Sequence, residues 1–161
     1  MAILRVSGIA VAIGFLLIST GAYAQSPQGA PLFAVLSGAN ECNNVAPPAG
    51  PDCRKGDLDG IGSATITFPT TTSVCWGINV DNIAGATLAH IHAGTPGING
   101  GIMVNLTPPN APGAGNPGAS SGCVGGIAAG IVAAIRADPT RFYVNVHNGG
   151  FPGGAVRGQL H

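Results

Sequence analysis

The sequence predicts an all-β domain, an antiparallel immunoglobulin-like β-sandwich or barrel with one short helix. Three observations carry this. Apolar and polar residues alternate with a period of two in short runs, as in Ala64, Ile66 and Phe68 against Ser63, Thr65 and Thr67. Glycine and proline clusters break the chain at short intervals; 27 of the 161 residues are glycine and 13 are proline, so turns are frequent. Helical spacing is confined to 126–138, where Ile127, Ile131 and Ile135 recur four residues apart, alanines fill between them, and Asp138-Pro139 ends the run.

Taken in order, Leu32-Phe33-Ala34-Val35-Leu36 reads as the first strand, ended by Ser37-Gly38-Ala39-Asn40-Glu41. Residues 42–62 read as a loop containing Pro47, Pro48 and Pro51. Gly62 to Phe68 is a half-buried strand, Pro69-Thr70-Thr71 a hairpin connection, and Thr72 to Val80 the returning strand. The parity of Val74, Trp76, Ile78 and Val80 assigns the sole tryptophan to the core, with Cys75 on the other face. Ala86 to His92 is a strand, 93–101 a glycine-rich loop, Ile102 to Leu106 a strand, and 107–122 a Pro/Gly/Ala/Ser loop. Phe142 to His147 and Ala155 to Leu160 are the last two strands, and the Ile127/Ile131/Ile135 stripe packs on the core.

The first 24 residues are a separate object. Arg5 precedes an uncharged apolar run from Ile9 to Ile18, and Ala22-Tyr23-Ala24 is a small-x-small cleavage pattern. These features predict a signal peptide over 1–24, a mature chain from Gln25, and a secreted or periplasmic location with no membrane span in the mature chain. Beyond residue 24, five Lys/Arg face six acids, a net charge of −1. No basic run marks a nucleic-acid surface. Cys42, Cys53, Cys75 and Cys123 all lie in the exported part, and an even number in an oxidising compartment predicts two disulfides. Three pairings are possible. The favoured pairing is Cys42–Cys53, which closes the Pro-rich loop, and Cys75–Cys123, which ties a strand to a later segment.

Chemistry is suggested by one constellation. In a strand, residues two apart share a face, so His90 and His92 point one way in Ala89-His90-Ile91-His92. Tyr143, Asn145 and His147 share a face in the later strand. If the two strands lie together, three imidazoles converge, a ligand set suited to Cu or Zn. On the alternative reading each imidazole bonds a loop carbonyl or Asn145 and fixes the strand ends. Asp57-x-Asp59-Gly60 has the start of a Ca²⁺ loop but no further ligands and no closing Glu; it reads as a turn with Asp side chains capping backbone N–H groups and glycines at positive φ. Arg157 and Gln159 share a face, with Asp57, Asp59 and Asp81 as candidate partners for Arg157. No Ser-His-Asp or Cys-His arrangement and no convincing carboxylate pair supports an enzyme, so no catalytic residue is assigned.

Several motifs in this order resemble the CHRD domain, the repeated module of chordin, also found in small exported bacterial proteins. They are Leu36-Ser37-Gly38-Ala39-Asn40-Glu41, Gly56-Asp57-Leu58-Asp59-Gly60-Ile61-Gly62, Val74-Cys75-Trp76, and Ala89-His90-Ile91-His92 with Gly94 and Gly97. Tyr143-Val144-Asn145-Val146-His147 and Phe151-Pro152-Gly153-Gly154-Ala155-Val156-Arg157-Gly158-Gln159-Leu160 follow. The resemblance covers nearly all of 25–161 and implies an all-β domain with no established enzyme activity. The functional expectation is an exported, non-enzymatic binding or structural module that meets an unknown protein or surface partner through loops 93–101 and 107–122. The alternative is a periplasmic or extracellular Cu or Zn protein using His90, His92 and His147.

Overall fold

The computed structural model describes residues 29–43, 52–109 and 118–161. The expected signal peptide and its cleavage point, and residues 44–51 and 110–117 of two loops, lie outside the described residues. The strands are β1 (Leu32–Ser37), β2 (Cys42–Asn43), β3 (Asp52–Cys53), β4 (Ile61–Thr70) and β5 (Ser73–Asp81). They continue as β6 (Ala86–Ala93), β7 (Ile102–Leu106), β8 (Gly118–Val124), β9 (Phe142–Asn148) and β10 (Val156–Gln159), with one α-helix, α1 (Ala129–Ala137).

Eight strands form one antiparallel sheet in the order β7-β6-β9-β10-β1-β4-β5-β8, and β2 pairs with β3 alone. The two ends of that order meet: Ser120 of β8 donates its hydroxyl to the Thr107 carbonyl, just past β7, at 2.8 Å. The fold is therefore all-β with one short helix, and its sheet is a nearly closed barrel rather than two stacked sheets.

The period-two pattern decides what fills it. Leu32, Ala34 and Leu36 of β1, Ala64, Ile66 and Phe68 of β4, and Val74, Trp76, Ile78 and Val80 of β5 are all buried in one apolar cluster. Ala89 and Ile91 of β6, and Phe142, Val144 and Val146 of β9, join it from the other wall. The Val, Leu, Ile and Phe side chains among them contribute about 1.5–3 kcal/mol each when removed from water.

Besides the loop at 42–62, within which β2 pairs with β3 and β4 begins at Ile61, four expectations need correction. First, 107–122 is not all loop. Its last residues begin β8, which pairs with β5 from Gly118↔Val80 to Val124↔Val74. Gly-Ala-Ser-Ser-Gly carries almost no strand propensity, so pairing and the Cys75–Cys123 bridge override local preference. Second, the helix spans Ala129–Ala137 and buries Val132 and Ile135, while Ile127 and Ile131 only partly join the core. Third, β4 continues through Pro69 to Thr70, and the turn moves on to Thr71 and Thr72. Pro69 sits where the β4–β5 register shifts between Thr67 and Thr70, a place that does not need its missing N–H. Fourth, Gly56 and Gly60 are not at positive φ. They are required by space: a Cβ on Gly56 would lie 2.3 Å from the Ala155 carbonyl oxygen, and one on Gly60 2.7 Å from the Ile83 side chain.

Candidate functional site

β6 and β9 are neighbours in the sheet, with His90 opposite Asn145 and His92 opposite Tyr143. His147 lies two residues along from Asn145 on the same face. Diagonal neighbours across an antiparallel pair are within reach of ring-sized side chains. The pairing thus gathers His90, His92 and His147 on the face of the sheet turned away from the apolar interior. One potential ligand atom from each lies within 4.8 Å of the others. A register shift on β7 between the partners of Ile91 and His92 places a bulge beside the cluster.

That outer face is nonetheless buried. Every residue of β9 is buried, and His90, His92 and His147 are 6%, 8% and 7% exposed. Two loops cover the face. In the loop after β6, the Gly100 carbonyl accepts from His92 Nδ1 at 3.0 Å. In the loop after β9, the Pro152 carbonyl accepts from His147 Nδ1 at 3.0 Å. A carbonyl only accepts, so both rings carry their proton on Nδ1 and leave Nε2 bare. His90 Nδ1 lies 3.1 Å from His147 Nε2 and donates to it. His92 Nε2 is buried with no hydrogen-bond partner among the described residues.

Burial holds the histidines neutral. Removal from water pushes the His90 pKa down to about 4, and charge on His147 and His92 would push it the same way. His92 and His147 are also lowered by burial, opposed by their bonds to the Gly100 and Pro152 carbonyls.

A second polar layer holds the loops. His92 stacks on Tyr143 with ring centroids 5.0 Å apart and planes 5° from parallel. The Arg157 guanidinium carbon sits 3.4 Å from the Tyr143 ring centroid. Arg157 is 1% exposed; it donates to Asn99 Oδ1 at 2.7 Å and to the Thr95 and Ile98 carbonyls at 3.0 and 2.9 Å. Asn99 in turn donates to the Cys42 carbonyl. Glu41 is buried and accepts from Asn145 Nδ2 at 3.0 Å; burial raises its carboxyl pKa, against the attraction of Arg157.

Arg157 is therefore bonded to Asn99 and to the Thr95 and Ile98 carbonyls, and not to the candidate partners Asp57, Asp59 or Asp81. Strand parity gives its face, and the loop at 94–100 folds over that face and supplies its partners. The Asp57 turn is closed by the backbone, Gly60 N–H to the Asp57 carbonyl at 2.9 Å. The Asp57 carboxyl pKa is raised by burial and by its hydrogen bond and charge contact with Asp59. The residues that sequence reasoning missed are Glu41, Asn99, Gly100 and the Tyr143–Arg157 stack. The available signal was their place in motifs rich in glycine, where loops approach a sheet closely.

The cysteines are joined as Cys42–Cys53, directly opposite each other on β2 and β3, and Cys75–Cys123, opposite each other on β5 and β8. No cysteine remains free. Among the described residues, no helix is long and apolar enough to cross a membrane.

Comparison with curated proteins and with solved structures finds no match. A family model does match, over residues 32–160, which takes in every strand of the described residues, the helix and His90, His92 and His147. This chain belongs to the CHRD domain family.

Proposed function

We propose that this chain is an exported CHRD-domain protein that holds one transition-metal ion, copper or zinc, on His90, His92 and His147. The observation that carries this is the convergence of three buried, neutral imidazoles with a partnerless Nε2 on His92. Two ligand nitrogens of one tetrahedral zinc, each bonded at about 2.0–2.1 Å, stand about 3.3 Å apart. His90 Nδ1 and His147 Nε2 are 3.1 Å apart. Anchoring of Nδ1 by a carbonyl is also how metal-binding histidines are usually oriented and made more basic. Export is supported by the charge, apolar run and small-x-small pattern of 1–24 and by two disulfides.

A second reading remains, a non-enzymatic structural or binding module with a protein or surface partner. It is favoured by the bonds from His92 and His147 to loop carbonyls, which give both rings a structural duty without any ion.

The test is calorimetric titration of the exported protein with Cu²⁺ and Zn²⁺, beside His90→Ala/His92→Ala/His147→Ala and the milder His92→Phe. One-to-one binding weakened more than about 100-fold in folded variants supports the metal site. Absent binding, or equal weak binding in all forms, returns the histidines to the structural reading. Mass spectrometry of the same sample tests export; a mature chain that does not begin at Gln25 contradicts the assigned cleavage.

A further inference from the structure

We propose that the ion held by His90, His92 and His147 is monovalent copper, Cu⁺, in preference to any divalent ion. The inference rests on the metal site proposed above and concerns its charge balance.

Among the described residues the cluster contains three imidazoles and no carboxylate or thiolate. All four cysteines are spent in disulfides. The nearby buried acid, Glu41, is engaged elsewhere: one oxygen accepts from Asn145 Nδ2 and the other from the Cys42 N–H at 3.3 Å. Its charge is offset by the buried Arg157 guanidinium, which lies behind His92 on the Tyr143 ring. The surroundings thus bring no net negative charge to the ion.

The cost of burying an ion in a low-dielectric medium grows with the square of its charge. Three neutral donors leave that cost uncompensated for M²⁺, whereas Cu⁺ carries a quarter of it. Coordination number agrees. Cu⁺ is satisfied by three ligands, while Zn²⁺ takes a fourth, and at a three-histidine site that fourth ligand is a water whose pKa falls to about 7. Cu⁺ replaces the His90–His147 hydrogen bond as the His90 proton passes from Nδ1 to Nε2 of the same ring, so no proton leaves the protein. Zn²⁺ recovers a negative charge only by converting its water to hydroxide, with release of a proton.

Anaerobic competition against a cuprous chelator, beside Zn²⁺ titration in buffers of different ionisation enthalpy, tests this. The expected result is Cu⁺ binding at least about 10⁴-fold tighter than Zn²⁺, with no proton released on Cu⁺ binding near pH 7. Zn²⁺ affinity within about 10-fold of Cu⁺ overturns the inference while leaving the metal site standing. Failure of both ions to bind overturns the metal site as well. Asn105→Asp is the second variant. Asn105 is exposed and pairs with His90 across β7, so an aspartate there adds a negative charge without disturbing the core. It is expected to narrow the Cu⁺/Zn²⁺ ratio about 10-fold or more; an unchanged ratio counts against charge as the source of selectivity.

Discussion

The two walls of the barrel use the same strand geometry to opposite ends. In β5, buried and more exposed residues alternate, so Val74, Trp76, Ile78 and Val80 face the interior and the other face is half-buried, with Asn79 exposed. In β9, alternation of chemistry persists but alternation of burial is gone: Phe142, Val144 and Val146 face the apolar interior, and Tyr143, Asn145 and His147 face a polar layer under two loops. Among the described residues, the β9 wall carries the orphaned His92 Nε2, Asn145 Oδ1 and Asn148 Nδ2, whereas the β5 wall has Trp76 Nε1. Buried polar atoms without partners are unfavourable in a fold that needs only stability. Their concentration on one wall marks where the molecule departs from simple packing.

The largest difference between the walls is expected from glycine. A Cβ on Gly100 would lie 1.7 Å from the Ala93 carbonyl oxygen, whereas one on Gly77 in β5 meets nothing within 4 Å. Gly100→Ala is expected to prevent the 94–101 loop from closing and to destabilise by more than about 4 kcal/mol; Gly77→Ala should stay within about 0.5 kcal/mol. Denaturant melts of the two variants check this, and equal stabilities would erase the contrast.

Arg157→Met comes next. It leaves the Thr95 and Ile98 carbonyls without their donor and Glu41 without its counter-charge. A loss of about 3–5 kcal/mol is expected, since removing one member of a buried charged set strands the others. A melt within about 1 kcal/mol of the parent would mean that the polar layer adds little to stability.

The disulfides divide the two effects. Loop-closure entropy gives about 4 kcal/mol for Cys75–Cys123, which spans 48 residues, and about 3 kcal/mol for Cys42–Cys53, which spans 11. Among the described residues, the shorter bridge is tied to the histidine face through the bond from Asn99 to the Cys42 carbonyl. Cys75→Ser/Cys123→Ser is expected to lower the melting temperature more, and Cys42→Ser/Cys53→Ser to weaken ion binding at the proposed histidine site more. The same order in both measurements would refute the division.

The smallest effect is that of pH. His90, His92 and His147 have folded pKa values below those of the unfolded chain, so the unfolded state binds more protons as pH falls. Their contribution is complete above pH 6.5 and is lost as pH falls through the His90 value of about 4. Glu41, whose folded pKa is raised, works in the other direction from pH 4.5 upward and blunts the change. The melting temperature is expected to fall from pH 6.5 to pH 4, and to fall less in His90→Ala/His92→Ala/His147→Ala; identical profiles would remove the histidines from the balance.

Much of this was legible from residue order. The period-two runs assign Val74, Trp76 and Ile78 to the interior and put His90 with His92, and Tyr143 with His147, on shared faces, because strand parity is local geometry. The all-β class was readable for the same reason, while the family resemblance rested on the order of its motifs along the chain. Gly-Ala-Ser-Ser-Gly was not readable as β8, because its strand conformation comes from pairing with β5 and not from its own side chains. Nor did parity say that the outer face of β9 is covered. Tertiary structure alone decided that the loops at 94–101 and 149–155 fold over it, bring the Gly100 and Pro152 carbonyls to the imidazoles and enclose Arg157. The physical reason is that parity fixes which side of a strand a residue faces, while burial of that side depends on distant chain segments packing against it.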